Sequence, residues 1–280
     1  MDGVGDHRSG QIAVDLLLVA VVPALLGVVH FLVPAAIQHE FVLTPQAVTP
    51  IALFSAAFLH ASDAHLFSNV VGYALGALSA YLLCLLLAER RWFWLSTLVL
   101  VFGLPVLVNW TSLQVLDLYF GDWSGRTRGF SGVAAGFGGF ALAALLAYVG
   151  RRTDRGTALF AGLAVLLLLL WEVLVIYAGE FPLLPTGLVA LGVALCLAEV
   201  GRRWYRRGLP ETRADWLGVV VVVVVFAWTL VVVAWLVAGL FPADVVDGDQ
   251  FTNIFAHAIG FGYGFVISGW GYRYWRTSYP

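Results

Sequence analysis

The chain has 280 residues, of which 61% are hydrophobic and 11% are charged, and its formal net charge is −2. A soluble domain carries roughly 25% charged residues, so this composition excludes a single globular core in water and indicates an all-α polytopic membrane protein. The slightly negative net charge also gives no indication of a nucleic-acid partner. The two cysteines, Cys84 and Cys196, lie far apart in apolar segments and lack the spacing of a metal or redox motif.

Eight segments are long and apolar enough to cross a bilayer, which needs about 20 residues of helix. The first is longer than the core of a signal peptide, so we expect it to be a retained span. The predicted spans cover about 11–34, 65–88, 92–109, 131–149, 157–178, 183–200, 215–240 and 251–271.

The arginines predict the orientation of these spans. All 15 basic residues are arginines, and with eight spans only Arg126 and Arg128 fall on the side opposite the termini, which leaves 15 − 2 = 13 on the terminal side. The positive-inside rule then places both termini in the cytoplasm of a cell-membrane protein. The longest connections, about 35–64 and 110–130, are expected on the outer side.

A serine lies at the boundary between the second of these outer loops and the fourth span. The loop, roughly 110–128, is polar, and the span that follows carries no charge as far as residue 149. Ser131, between Gly129 and Gly132, is therefore expected at a helix N-terminus just inside the outer membrane surface. Unpaired backbone N–H groups at such a terminus favour negative charge.

Polar residues also open the second span. Ser62 or Asp63 is a plausible N-cap, and His65 and Asn69 then lie four residues apart on one face of the first helical turns. His60 precedes them. These side chains form either a hydrated, capped helix end or part of a functional site, because polar groups at membrane depth are costly to bury.

The last predicted span carries a single histidine, His257, among apolar neighbours. Gly260 and Gly264 follow on the same helical face, and Gly132 and Gly136 show a similar spacing after the serine. Small residues at this spacing let membrane helices approach closely, as a serine–histidine hydrogen bond requires. Alternatively, the glycines only pack helices and the histidine bonds a backbone carbonyl. The second, fourth and eighth predicted spans all run from the outer to the inner side. Their polar residues, which lie near the outer ends, are therefore expected at one common membrane depth.

Three motifs in this order resemble the rhomboid family of intramembrane serine proteases. They are His60-x4-His65-x3-Asn69, then Gly129-x-Ser131-Gly132, then Ala256-His257-x2-Gly260-x3-Gly264. The resemblance implies a single membrane-embedded domain over 1–280. Its rhomboid-like six-helix core would comprise about 11–150 and 251–271 plus one intervening helix, with an extra helix pair within about 157–240.

The resemblance further implies an endopeptidase that cleaves transmembrane protein substrates near the outer face of the bilayer. Ser131 would be the nucleophile and His257 the general base of a dyad, without cofactor or metal. His65 and Asn69, with the Ser131 N–H, would stabilise the oxyanion. His60 would have a supporting role, as would the glycines of the motifs: Gly129, Gly132, Gly260 and Gly264.

The chain departs from the family pattern in three ways, one of which is that its first outer loop lacks the Trp-Arg pair seen in many members. Three predicted helices, rather than one, separate the serine and histidine helices, and Ala135 stands where the family commonly has an aromatic residue against the histidine. One alternative is therefore a catalytically inactive rhomboid-like protein that binds membrane clients. A second is a zinc-dependent hydrolase using His60, His65 and His257, although no His-Glu-x-x-His motif is present. No internal repeat favours a transporter.

Overall fold

A computed structural model describes residues 9–121, 125–178, 181–208, 210–243, 246–247 and 250–278, and this part of the chain is almost entirely helical. In chain order the α-helices are α1 (Ser9–Leu32), α2 (Ala35–Glu40), α3 (Pro50–Ser55), α4 (Asp63–Leu86), α5 (Arg90–Phe120), α6 (Ser131–Arg152), α7 (Arg155–Ala178), α8 (Leu183–Arg207), α9 (Arg213–Leu240) and α10 (Ile254–Ser278). Single 3₁₀ turns cover Pro45–Ala47 and Ala56–Phe58. Two antiparallel strands of two residues each, β1 (Val246–Asp247) and β2 (Gln250–Phe251), precede α10.

Within these described ranges, seven helices are long and apolar enough to cross a membrane: α1 and α4 to α9. The chain is thus an all-α, multi-pass membrane protein, as its composition predicts. The eighth predicted span corresponds to α10, which has 25 residues but is not among the seven. His257, the glycines and the tyrosines reduce the hydropathy of α10.

Helix α5 is longer than predicted. It extends from Arg90 to Phe120, so the prediction of a polar loop that begins at residue 110 was wrong for its first eleven residues. Leu113 and Leu116 are buried on one helical face, and this packing continues the helix beyond the predicted membrane span. The helix ends at Gly121, whose φ of 61° suits glycine.

The helices form two compact units. The first comprises the described parts of 1–141 and 244–280, and the second comprises those of 142–243. The first unit contains every residue of the three sequence motifs. The second contains α7 to α9, where the additional helices were expected. The prediction of one domain over the whole chain is not tested by this division and stays a prediction.

In the first unit, α10 packs on α5. The Trp92 indole N–H donates to the Ser268 carbonyl over 2.9 Å, and the Trp92 and Tyr272 rings lie 4.6 Å apart. Nearer the other end of the helices, the hydroxyls of Thr111 and Tyr263 are 3.0 Å apart. These contacts fix the height of α10 along α5.

A buried carboxylate anchors α1 to the same unit. Asp15 is fully buried, and its oxygens accept hydrogen bonds from Arg90, Tyr81 and Trp94 at 2.6 to 3.1 Å. A buried charge is tolerated when it is paired and hydrogen-bonded in this way. The first helix is therefore tied to the start of α5 and to α4.

The segment between α1 and α4 supports the loop that precedes α6. Leu43 and Thr127 form an antiparallel bridge with two backbone hydrogen bonds, of 3.3 and 2.9 Å. The Asn109 side chain donates to the Leu53 carbonyl over 2.8 Å and so holds α3 against α5. A polar side chain buried on α5 thus serves the loop and not a site.

The second unit is held at one end by ion pairs. Asp154 caps the first turn of α7 by accepting from the Thr157 N–H over 2.8 Å, and it also pairs with Arg203 and Arg207 of α8. These interactions lower the pKa of Asp154 to about 2, chiefly through the hydrogen bonds from Thr157. Within this unit α7 packs against both α8 and α9.

Candidate active site

Helix α6 begins at Ser131 because of the residues just before it. Gly129 has a φ of 126°, which only glycine adopts readily, and its N–H donates to the Ala56 carbonyl over 2.9 Å. The first helical hydrogen bond runs from the Ala134 N–H to the Phe130 carbonyl. The N–H of Ser131 therefore has no acceptor within its own helix.

Ser131 and His257 are in direct contact. The Ser131 Oγ lies 2.7 Å from the His257 Nε2, although 126 residues separate them in the chain. His257 is 5% exposed, while Ser131 is half-buried at the helix start. The distance is that of a strong hydrogen bond between a hydroxyl and a ring nitrogen.

Glycines bring the two helices together. A Cβ added to Gly260 would overlap the carbonyl oxygen of Gly132, and one added to Gly264 would overlap that of Gly136. A Cβ at Gly139 would meet the backbone of α10 in the same way. The backbones of α6 and α10 therefore touch over two helical turns, which is the packing that the glycine spacing predicts.

His65 and Asn69 meet the chain just before the serine. Ser62 is the N-cap of α4, and its hydroxyl accepts the His65 N–H over 3.2 Å. A Cβ added to Gly129 would lie 2.7 Å from His65 Nε2 and 3.4 Å from the Asn69 amide nitrogen. Both side chains thus face Gly129, two residues before Ser131.

The side chains of His65 and Asn69 both carry hydrogen-bond donors that can bind a ligand. The Asn69 amide nitrogen is buried and makes no hydrogen bond within the described part of the chain. The Ala61 N–H points at His65 Nδ1 over a long 3.5 Å, which favours the neutral tautomer with its proton on Nε2. Buried donors without partners need an explanation, and an incoming oxygen supplies one.

Together these groups can carry out acyl transfer. A histidine nitrogen bonded to a serine hydroxyl can remove its proton as the oxygen attacks a carbonyl carbon. Donors close to that oxygen can stabilise the negative charge that then develops on the substrate. In the described structure Ser131 contacts His257, and His65 and Asn69 face Gly129, two residues before the serine. Their catalytic roles stay a prediction.

Ala135 is fully buried and carries no ring to hold His257. Helix α10 is instead held by its contacts with α5 and α6. At the serine end of the helices, Phe255 lies against the last turn of α5, with its ring centroid 6.1 Å from that of Tyr119. Aromatic packing two residues before the histidine thus comes from α5, which the shorter predicted span could not reach.

His60 is buried beside two other histidines. Its ring centroid is 5.2 Å from that of His65 and 6.2 Å from that of His30. His30 in turn bonds Asp63 at the start of α4 over 2.8 Å, a contact that the sequence did not predict. Neither ring nitrogen of His60 makes a well-formed hydrogen bond in the described structure, although the Phe58 backbone is close. The supporting role of His60 stays a prediction.

The burial of His60 predicts a pH-dependent stability. Burial, with smaller contributions from His65 and His30, lowers the pKa of His60 to about 3 from 6.5. Because the unfolded chain then binds the proton first, stability is complete above about pH 6.5 and is lost as the pH falls from 6.5 towards 3. The free energy of unfolding should fall by roughly 2 kcal/mol at about pH 5. Thermal unfolding in detergent at several pH values measures this.

The matched variants are His60→Gln and His39→Gln, since His39 is exposed on α2. The first should reduce the dependence of Tm on pH, and the second should leave it unchanged. An equal dependence in the wild type and in His60→Gln would contradict the prediction.

The described residues contain no group of three or more histidine, cysteine, aspartate or glutamate side chains in positions to hold a metal ion. The zinc hydrolase that uses His60, His65 and His257 therefore lacks an assembled ligand set. His257 contacts Ser131, whereas His60 and His65 contact each other, so the three histidines do not surround one point.

No protein-family model, no curated protein sequence and no solved structure matches this chain. The side chains of the site and their distances therefore carry the functional assignment.

Proposed function

We propose that this protein is an intramembrane serine endopeptidase of the rhomboid type. The observation that carries the proposal is the 2.7 Å contact between Ser131 Oγ and His257 Nε2 at the start of an apolar helix. Helix α6 is also the most buried of the seven apolar helices, with 89% of its apolar stretch buried by other parts of the protein. The proposed rhomboid-like core is the predicted one, about 11–150 and 251–271 plus one intervening helix.

In this mechanism His257 Nε2 takes the proton of Ser131 as Oγ attacks the scissile carbonyl carbon. The tetrahedral intermediate puts a negative charge on the carbonyl oxygen, which His65, Asn69 and the Ser131 N–H stabilise by hydrogen bonds. His257 then gives the proton to the leaving amine. Water then hydrolyses the acyl-enzyme. His257 takes a proton from the water molecule as it attacks the ester carbonyl carbon, and it returns a proton to Ser131 Oγ as the ester bond breaks.

The glycines have a defined part in this mechanism. Gly132, Gly260 and Gly264 allow the backbone contact that brings His257 to Ser131, and Gly129 leaves room for His65 and Asn69. Precise placement of reacting groups is a large part of catalysis, and a shift of about 1 Å can cost roughly 10²-fold in rate.

The proposal includes a membrane topology. Helix α10 is the eighth span, because a 25-residue helix that packs along α5 has the length to cross the bilayer with it. Both termini then lie in the cytoplasm of a cell-membrane protein, and the site opens to the outer side, where only Arg126 and Arg128 represent the basic residues. The partners are transmembrane protein substrates and the surrounding lipid bilayer.

A serine-directed fluorophosphonate probe tests the proposal on the purified full-length protein. The wild type should be labelled, and Ser131→Ala should not be labelled although it keeps the wild-type Tm. A matched control is Ser68→Ala, since Ser68 is an exposed residue of α4 whose hydroxyl bonds only to its own helix. Equal labelling of the wild type and Ser131→Ala would refute the protease, and the inactive client-binding alternative predicts no labelling of either.

A further inference from the structure

Arg128 is a half-buried cation without a counter-ion. It is one residue before Gly129, in the loop that leads to Ser131. It makes no ion pair within the described part of the chain, and burial, followed by the charge of Arg126, lowers the pKa of Arg128. A charge that is partly withdrawn from water without a partner is unfavourable, and a nearby anion would stabilise it.

The loop geometry holds Arg128 beside the candidate site. The Thr127 backbone is bridged to Leu43, and the Gly129 N–H is bonded to the Ala56 carbonyl, so both neighbours of Arg128 are fixed. Gly129, the next residue in the chain, faces the side chains of His65 and Asn69. The backbone that carries Arg128 is therefore adjacent to these donors.

Two described acidic residues near this end of the helices, Asp63 and Asp117, form no ion pair with Arg128. Asp63 accepts a hydrogen bond from His30. Asp117 lines a separate cleft of about 240 Å³ with Trp110 and Gln114. Neither one neutralises Arg128, whose guanidinium is thus available to an anionic group of a bound molecule.

We propose that Arg128 binds a carboxylate side chain of the substrate close to the scissile bond, so that the protein prefers transmembrane substrates with aspartate or glutamate there. This rests on the proposed protease function. A planar guanidinium matches a carboxylate through two parallel hydrogen bonds, and such charge-assisted bonds are about twice as strong as neutral ones. A substrate carbonyl that reaches Ser131 brings its neighbouring side chains to the loop that carries Arg128.

The position next to Ser131 favours a substrate carboxylate over a lipid phosphate. Arg128 is separated from the serine by two residues, Gly129 and Phe130, and Phe130 is fully buried. Arg126, two residues earlier in the same loop, is exposed. The two arginines of this loop thus differ in burial, and only Arg128 is held between fixed neighbours next to the site.

A substrate series on the full-length protein tests the inference. A model transmembrane substrate carries aspartate, asparagine or lysine in turn at each position flanking the scissile bond, and kcat/KM is measured in detergent and in vesicles of neutral phosphatidylcholine. At one of these positions the wild type should prefer aspartate over asparagine by about tenfold to a hundredfold. Arg128→Gln should abolish this preference, and Arg128→Glu should transfer it to lysine.

Arg126→Gln is the matched control and should keep the wild-type preference. If Arg128→Gln slows all substrates by the same factor, a substrate carboxylate is not the ligand and the inference fails. If its effect appears only in vesicles that contain anionic lipid, a lipid headgroup is the ligand and the inference also fails. Labelling of Ser131 by the phosphonate probe separates these outcomes from a failure of the protease function itself.

Discussion

Replacement of His257 by glutamine should lower kcat/KM for a model transmembrane substrate by about 10³-fold or more. Glutamine has a similar volume and can still bond the Ser131 hydroxyl, but it cannot accept the serine proton in the transition state. Enzymes that lose one member of such a catalytic set retain only the stabilisation given by binding and by the oxyanion donors. Single-turnover cleavage kinetics in detergent measure the effect on the chemical step.

The control for this experiment is His39→Gln, which replaces an exposed histidine of α2 by the same residue. It should leave kcat/KM within about twofold of wild type. The Tm of His257→Gln should stay close to that of wild type, so that lost activity is not lost folding. A His257→Gln protein with activity within tenfold of wild type would show that another group acts as the base.

Alanine at Gly260 or Gly264 should both destabilise the protein and suppress cleavage. The added methyl group would overlap a carbonyl oxygen of α6 in each case, and backbone atoms cannot move aside as a flexible side chain can. The helices must then separate, which lengthens the distance between Ser131 and His257. We expect activity to fall by roughly 10²-fold or more, since misplacement by about 1 Å has this effect.

Gly262 offers a matched control on the same helix. A Cβ added there meets nothing within 4 Å, so Gly262→Ala should keep both the Tm and the activity of the wild type. Alanine also has the higher helix propensity, which makes a loss of stability at Gly262 still less expected. If all three alanine variants behave alike, helix contact at the glycines does not position the dyad.

The elements of the chain differ in how far the sequence predicts them. The start of α4 was predicted because its N-cap is local: Ser62 needs only the N–H of His65, three residues on. The end of α5 was missed because its last turns are stabilised by burial of Leu113 and Leu116, which depends on other helices. A helix end that is capped can be predicted from adjacent residues, whereas one that is stabilised by packing depends on residues far away in the chain.

The site residues show the same contrast. Ser131, His257, His65 and Asn69 could be selected as polar groups at membrane depth, and the glycine spacing predicted close helices. The hydrogen bond between His30 and Asp63 was not foreseen, because no local pattern links the end of α1 to the start of α4. Arg128 carried a signal, since arginines are rare on the predicted outer side, but its lack of a counter-ion is a property of the folded chain.

The sequence by itself determined the membrane class, most of the helices and the residues for a site, because hydrophobic length and helical spacing are local properties. Only the tertiary structure decided that Ser131 and His257 lie 2.7 Å apart. It also decided that Phe255, two residues before the histidine, packs on α5, whereas position 135 carries no ring. Distances between residues more than a hundred positions apart depend on how backbones pack, and the packing here is set by glycine carbonyl contacts that no spacing alone can measure.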